Sequence, residues 1–159
     1  RDKHFADVLL EMGPQAASAA HFVMDVSLQD QIATDTSVMI SSDGSPAMRH
    51  PRGYGSFAKI IHRYVIKQKK LSIEEAVHKM SGLPAATLDI KNRGLIKKGY
   101  KADLIIFEPE EVHDQATFKQ THKPDAGKDW IWVNGKPARQ EGIFNKKRFG
   151  EVIRKEVTF

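Results

Sequence analysis

Near residue 90 the chain changes its hydrophobic period, which restricts it to folds where an α/β part leads into a mostly β part. Before that point Phe57, Ile60, Ile61, Tyr64 and Val65 recur at i, i+3, i+4, i+7 and i+8, giving one apolar stripe on a helix. The Lys67–Lys70 cluster that follows suits a helix C-terminus. Ser72-Ile73-Glu74-Glu75 is a capping box opening a second helix, whose buried face is expected to be Ile73, Ala76, Val77 and Met80. Gly82 is placed to end that helix in the left-handed conformation, and Pro84 to prevent its continuation. Earlier lie two apolar runs, residues 16–24 and 37–42, which do not alternate, as expected of strands buried on both faces. Between them Ser27 suits the N-cap of a short helix from Leu28 to about Ala33, so the order strand, helix, strand predicts a βαβ unit.

The second run halts at Asp43-Gly44-Ser45-Pro46, and a loop rich in Gly and Pro spans 44–55. Beyond residue 90, Gly94–Gly99 leads into Ala102-Asp103-Leu104-Ile105-Ile106-Phe107, strand-like segments with Gly at turns. Trp130–Val133 is a predicted strand that enters an Asn134-Gly135 hairpin turn. Trp130 and Trp132 alternate along it, which predicts one buried ring and one at an edge. Residues 1–90 are therefore expected to be α/β and residues 91–159 mostly β with a looser tail.

With 159 residues the chain is long enough to bury a core, and 40% hydrophobic and 28% charged residues are those of a globular protein. No apolar run approaches the roughly 20 residues that cross a bilayer, so no membrane partner is expected. The net charge of +5 comes from scattered Lys and a patch at Lys146, Lys147, Arg148, Arg154 and Lys155. Only Phe149 accompanies that patch, so it reads as a solvated basic face and not as a nucleic-acid site. The absence of Cys excludes disulfides, thiolate metal ligands and a Cys nucleophile within this stretch, and fits a cytoplasmic location. The first residue is Arg1, within a helical pattern of Phe5, Val8, Leu9 and Met12, so the chain is expected to be part of something longer.

Three stretches together carry a resemblance. Gly94-Leu-Ile-Lys-Lys-Gly99-Tyr-Lys-Ala102-Asp103-Leu-Ile-Ile-Phe107 resembles the signature near the C-terminus of amidohydrolase-superfamily enzymes, and Val133-Asn134-Gly135-Lys136 resembles the hairpin that follows it. Ser42-Asp43-Gly44-Ser45-Pro46, then His50-Pro51-Arg52-Gly53-Tyr54-Gly55-Ser56-Phe57 and Ala76–Ala85, is similar to the N-acyl-D-amino-acid deacylase branch. The resemblance implies an α/β fold: the last βα units of a (β/α)8 TIM barrel in 1–90, followed by the C-terminal strands of a small β-sandwich domain in 91–159.

It also implies chemistry. Asp43 would follow the eighth barrel strand at the catalytic rim, close to the metal, and take a proton from the attacking water before returning it to the leaving amine. Read alone, Asp43-Gly44 is a turn. Arg52 would bind the substrate α-carboxylate bidentately, where the plain reading is a surface-loop Arg. The implied cofactor is zinc in the full-length enzyme, with Asp43 the one residue here placed beside it, the other ligands absent from this chain, and no tight binding by the chain alone. The implied substrate is a small N-acyl amino acid, and exposed edges predict contact with the rest of the enzyme or self-association. His50 reads as loop packing, His21 as a buried strand residue, and His62 and His78 as structural or solvent-facing. Ser42 and Ser45 lack the context of a nucleophile. Two other readings stand beside this one: a non-catalytic assembly or binding module of the same fold, and a cyclic-amide hydrolase of the dihydroorotase or hydantoinase kind.

Overall fold

A computed structural model describes residues 3–13, 24–45 and 48–154. The predicted strand at 16–24, apart from Met24, lies outside these residues, and His21, Pro46 and Lys155 lie outside them too. Among the described residues the helices come first: α1 (Phe5–Met12), α2 (Val26–Thr34), α3 (Arg52–Lys59), α4 (Ile73–Met80) and α5 (Gly82–Thr87). Four strands follow, β1 (Leu104–Ile106), β2 (Trp130–Val133), β3 (Lys136–Gln140) and β4 (Ile143–Phe144), in one antiparallel sheet of order β1-β2-β3-β4.

The helices follow their local chemistry closely. Ser72 Oγ accepts from Glu75 N at 3.1 Å while Glu75 Oε2 accepts from Ser72 N at 2.7 Å, the expected capping box of α4. The cap of α2 stands two residues earlier than expected. Asp25, not Ser27, is the N-cap, its Oδ1 accepting from Leu28 N at 2.8 Å, because the cap must stand three residues before the amide it serves. The helix carrying the Phe57–Val65 stripe likewise begins inside the expected loop, at Arg52. Pro51 precedes it with φ −59°, already set for a helical first turn. From Ile60 to Lys67 that helix widens into π geometry, ending with Gln68 N–H on the Arg63 carbonyl at 2.8 Å.

Gly82 does not end α4 in the left-handed region. The break falls at Ser81 (φ −137°, ψ −69°), and Gly82 opens α5, where Pro84 sits in a first turn that needs no N–H partner within the helix. Gly82 is small for another reason: a Cβ there would stand 2.9 Å from the His78 ring.

The expected strand at 37–42 has no ladder among the described residues, so no βαβ unit forms within them. A strand needs a neighbour, and here the run is held by the end of a helix: Ile40 N–H donates to the Lys79 carbonyl at 3.0 Å. The 94–99 stretch likewise joins no ladder among the described residues, and it ends in a turn with Gly99 at φ 87°. The Asn134-Gly135 hairpin forms as expected, with φ 50° and 74°, joining β2 to β3. Trp130 and Trp132 do not divide between inside and edge. Residues two apart share a strand face, and the rings stack at 6.0 Å and 15°, both half-buried.

Two small clusters make the core. Ala33, Ile60, Tyr64, Leu71 and Ala76 form one, with Ile40 packed on it. Ala58, Ile61 and Val112 form the other, with Phe107 against it, so the second half of the chain seats on the helices through Val112 and Phe107. Met80 touches both clusters. A cleft of about 690 Å³ remains between the helices and β1, lined by Phe57, Val77, Leu95 and Ile105 among others. Ile96 (92% exposed), Leu10 (79%) and Ile143 (75%) leave large apolar faces open to water. Among the described residues no helix is long and apolar enough to cross a membrane.

Candidate functional site

Asp43 follows the apolar run that includes Val38 and Ile40 and adopts φ 46°, in the left-handed region that Asp tolerates better than most residues. The turn is closed by side-chain oxygens, Ser41 Oγ accepting from Asp43 N at 3.4 Å and Ser42 Oγ from Gly44 N at 3.2 Å. Ser42 is thus a turn residue, as its lack of a nucleophile context implies. The loop then lies against the start of α3. A Cβ on Gly44 would come within 3.1 Å of the Gly53 Cα, so a glycine at position 44 lets the two backbones approach this closely.

That approach brings the two predicted site residues together. Arg52 Nη2 meets Asp43 Oδ2 at 2.7 Å, and Arg52 Nε donates to the Asp43 carbonyl at 3.3 Å. The carboxylate is open to solvent, its side chain 81% exposed, so a small molecule can reach the pair. Behind Arg52, His50 Nδ1 accepts from the Arg52 amide at 3.1 Å, supplying the cap that Pro51 cannot. Burial, and then the Arg52 charge, push the His50 pKa down, which favours the neutral ring that this acceptor role requires. His50 is therefore a loop-packing residue, as expected.

The second half of the chain supports the same loop, which the sequence did not reveal. Phe118 packs edge-on against His50 at 5.0 Å, His122 lies 5.2 Å from the Tyr54 ring, and His122 Nε2 is 3.0 Å from the Met48 carbonyl oxygen. His62 is half-buried beside Asp114, 3.8 Å away, and His78 lines the cleft against Gly82, so among the described residues both are engaged away from Asp43.

Among the described residues two charged side chains are buried, Asp30 and Lys79, and neither stands out in the sequence. Asp30, 9% exposed, receives Arg63 Nη2 at 2.8 Å, Tyr64 Oη at 2.9 Å, Gln68 Nε2 at 3.2 Å and Lys70 Nζ at 3.2 Å. Lys79, 2% exposed, donates to the carbonyls of Asp35 and Val38. An Asp or a Lys at a helical position reads as solvent-facing unless its partners are known, and these partners lie 33 to 44 residues away.

Among the described residues no three of His, Asp and Glu converge to hold a metal ion. Asp43 offers one exposed carboxylate already paired with an Arg, so the residues present do not by themselves fit a metal cradle.

A sequence profile of the amidohydrolase family matches residues 4–139. The N-acyl-D-aspartate deacylase of Alcaligenes xylosoxydans xylosoxydans is 34% identical over 162 residues, covering 95% of this chain and 32% of its own length. A D-aminoacylase structure, solved to define the role of its binuclear metal center, matches 97% of this chain and 32% of its own at 35% identity, with a TM-score of 0.90. The zinc and phosphonate complex of N-acyl-D-glutamate deacylase from Bordetella bronchiseptica matches 72% of this chain at 34% identity, with a TM-score of 0.69. The chain thus spans about a third of the length of the deacylase and the D-aminoacylase. With a match that runs from residue 4 through the β2–β3 hairpin to residue 139, the chain belongs to the amidohydrolase family.

Proposed function

We propose that this chain is the C-terminal portion of an N-acyl-D-amino-acid deacylase, which hydrolyses the amide to a carboxylate and a free D-amino acid. The observation that carries the reading is the Asp43–Arg52 pair: a solvent-open carboxylate and a guanidinium held 2.7 Å apart on one loop. Arg52 binds the substrate α-carboxylate, because a planar fork of donors matches a carboxylate in two parallel hydrogen bonds. Asp43, released from Arg52 by that exchange, takes the proton from the attacking water and hands it to the leaving amine. Zinc in the whole enzyme is held by ligands outside this chain.

In this reading residues 1–90 belong to a TIM barrel and residues 91–159 to a β-sandwich domain. The missing part of the protein covers the apolar faces left open at Leu10, Ile96 and Ile143. Support comes from the family match and from the two relatives above that share about a third of their length with this chain.

The test is turnover of N-acetyl-D- and L-amino acids by the whole protein, metal-loaded, followed by release of free amine. The D series should be hydrolysed, and Asp43→Asn should lower kcat by about 10²-fold or more at similar KM. No release from any N-acyl-D-amino acid would sink the reading, and so would an Asp43→Asn variant with the wild-type kcat.

A further inference from the structure

Lys79 is a buried cation packed against the backbone that leads to Asp43. It stands near the C-terminus of α4 with 2% of its surface exposed. Its Nζ donates to the carbonyls of Asp35 and Val38, while its own carbonyl accepts from Ile40 N at 3.0 Å. Asp35 is the C-cap of α2, where carbonyls lack helical partners, and Val38 stands in the apolar run that leads to Asp43. Lys79 therefore grips the run at three backbone groups within six residues, 35 to 40, by its side chain and its backbone together. No ladder among the described residues performs that task.

Placing an ammonium in so dry a position is costly unless its donors are used, and burial pulls the Lys79 pKa down although Asp35 and Glu75 oppose it. A solvent-facing Lys on α4 would incur no such cost. The Asp35 carbonyl also accepts from Val38 N–H at 3.2 Å, so the ammonium adds a charged donor to a turn that the backbone itself has begun to close. Three residues beyond Ile40 stands Asp43, and the other end of the loop is fixed by Arg52 and the Gly44–Gly53 contact.

We infer that Lys79 is a positioning residue for Asp43, setting through the 35–40 backbone where the carboxylate stands relative to the substrate bound by Arg52. The inference rests on the hydrolase reading given above. It predicts a division of labour, with the grip of Lys79 felt in the chemical step and that of Arg52 in substrate binding. A displacement of about 1 Å at a reacting group can lower a rate on the order of 10²-fold.

The experiment uses the whole protein with Lys79→Met, which keeps the stem and removes the donors, and Lys79→Arg, which keeps them. Two readouts are taken: kcat and KM on an N-acetyl-D-amino acid, and amide hydrogen exchange across 38–44 against α4 and the Ile60–Lys67 segment. For Lys79→Met, kcat should fall roughly 30-fold or more with KM within about threefold, and exchange should rise at 38–44 while the helices keep their protection. Unchanged exchange at 38–44, or kcat within about twofold of wild type, overturns the inference. Equal loss of protection in every helix also overturns it, since Lys79 would then be general scaffolding. Should Lys79→Met fail to fold, Lys79→Arg decides. A folded variant with near-wild-type kcat and exchange supports the role of the donors, and one that loses both overturns it. If the wild type hydrolyses no N-acyl-D-amino acid, the hydrolase reading falls, and the exchange data alone still decide whether Lys79 holds the Asp43 segment.

Discussion

Gly44 and Gly53 touch: a side-chain carbon on the first would stand 3.1 Å from the Cα of the second, and this contact seats Asp43 over Arg52. A Cβ at Gly44 would meet backbone, which cannot swing aside as a long side chain can. Gly44→Ala is therefore expected to push the 43–45 turn off the start of α3. The cost in stability should be about 1–3 kcal/mol, the range for forcing a methyl into a filled space. The Asp43–Arg52 geometry should suffer more, with kcat/KM on N-acetyl-D-amino acids reduced at least about tenfold. Urea unfolding and steady-state kinetics of the whole protein check both. Wild-type values for this variant would mean that the loop has slack.

The buried Asp30 network sets a pH dependence. Burial raises the Asp30 pKa, but hydrogen bonds from Tyr64, Lys70 and Gln68 and the charge of Arg63 outweigh it, so the pKa falls from 3.8 to about 2. Above 3.8 the carboxyl is ionised whether folded or not, and the network contributes in full. As the pH falls from 3.8 through about 2 the unfolded chain takes up a proton that the folded one resists, and the contribution is lost. Tyr64 acts at the other limit. Burial first, and Asp30 second, push its hydroxyl up from 10.0 to about 12, so its contribution is whole below 10.0 and fades as the pH climbs through about 12. Asp30→Asn should lower the melting temperature at neutral pH by several degrees, and the gap from wild type should close in acid. A gap that stays constant from neutral pH down to about pH 2 contradicts the assignment.

The elements most legible in the sequence are those whose signals are local. Ser72 and Glu75 lie three residues apart and satisfy each other, and Asn134-Gly135 needs only its own two left-handed dihedrals. Asp43 and Arg52 stand out through their motifs, nine positions apart, although nothing in those motifs shows that they face one another. What stays hidden depends on distant partners. Val38–Ser42 has the composition of a strand, but a strand exists only beside another, and the described residues place Lys79 there instead. Asp30 and Lys79 look like surface charges until partners from other elements arrive. Gly82 matches a helix stop, yet it is small because His78 needs the space. The Trp130–Trp132 stack follows directly from the two-residue period of a strand, and expecting the two rings to divide between core and edge misreads that period.

Arg52→Lys separates geometry from charge at the proposed clamp. Lys keeps the positive charge but replaces a planar fork with a single rotating point donor, losing one of two parallel bonds to a carboxylate. KM for N-acetyl-D-amino acids should rise on the order of tenfold, with kcat reduced less. Esters of the same substrates, which lack the carboxylate, should not distinguish the variant from wild type. An equal penalty on acid and ester would show that Arg52 acts through Asp43 alone.

Arg93 joins three parts of the second half that share no strand pairing with it. Its guanidinium, 14% exposed, pairs with Asp103, donates to Asn134 Oδ1 at 3.0 Å and to Glu151 Oε1 at 2.6 Å. Asp103 in turn accepts from Asn134 N at 2.8 Å, and Asn134 Nδ2 donates to the Phe149 carbonyl at 2.7 Å. The Ala102-Asp103 pair thus has a structural role: it fastens the β2–β3 turn. Lys101, and with it Arg93, holds the Glu151 carboxyl below its usual range, so the tail bond persists at mildly acid pH. Arg93→Ala leaves Asp103 and Glu151 facing one another without their shared cation. The expected cost is about 1–3 kcal/mol, with the tail from residue 145 onward cleaved by trypsin sooner than in wild type, at Lys146, Lys147 and Arg148. Cleavage there at the wild-type rate, with unfolding shifted by the same amount, would mean that Arg93 supports the turn and leaves the tail to Lys101.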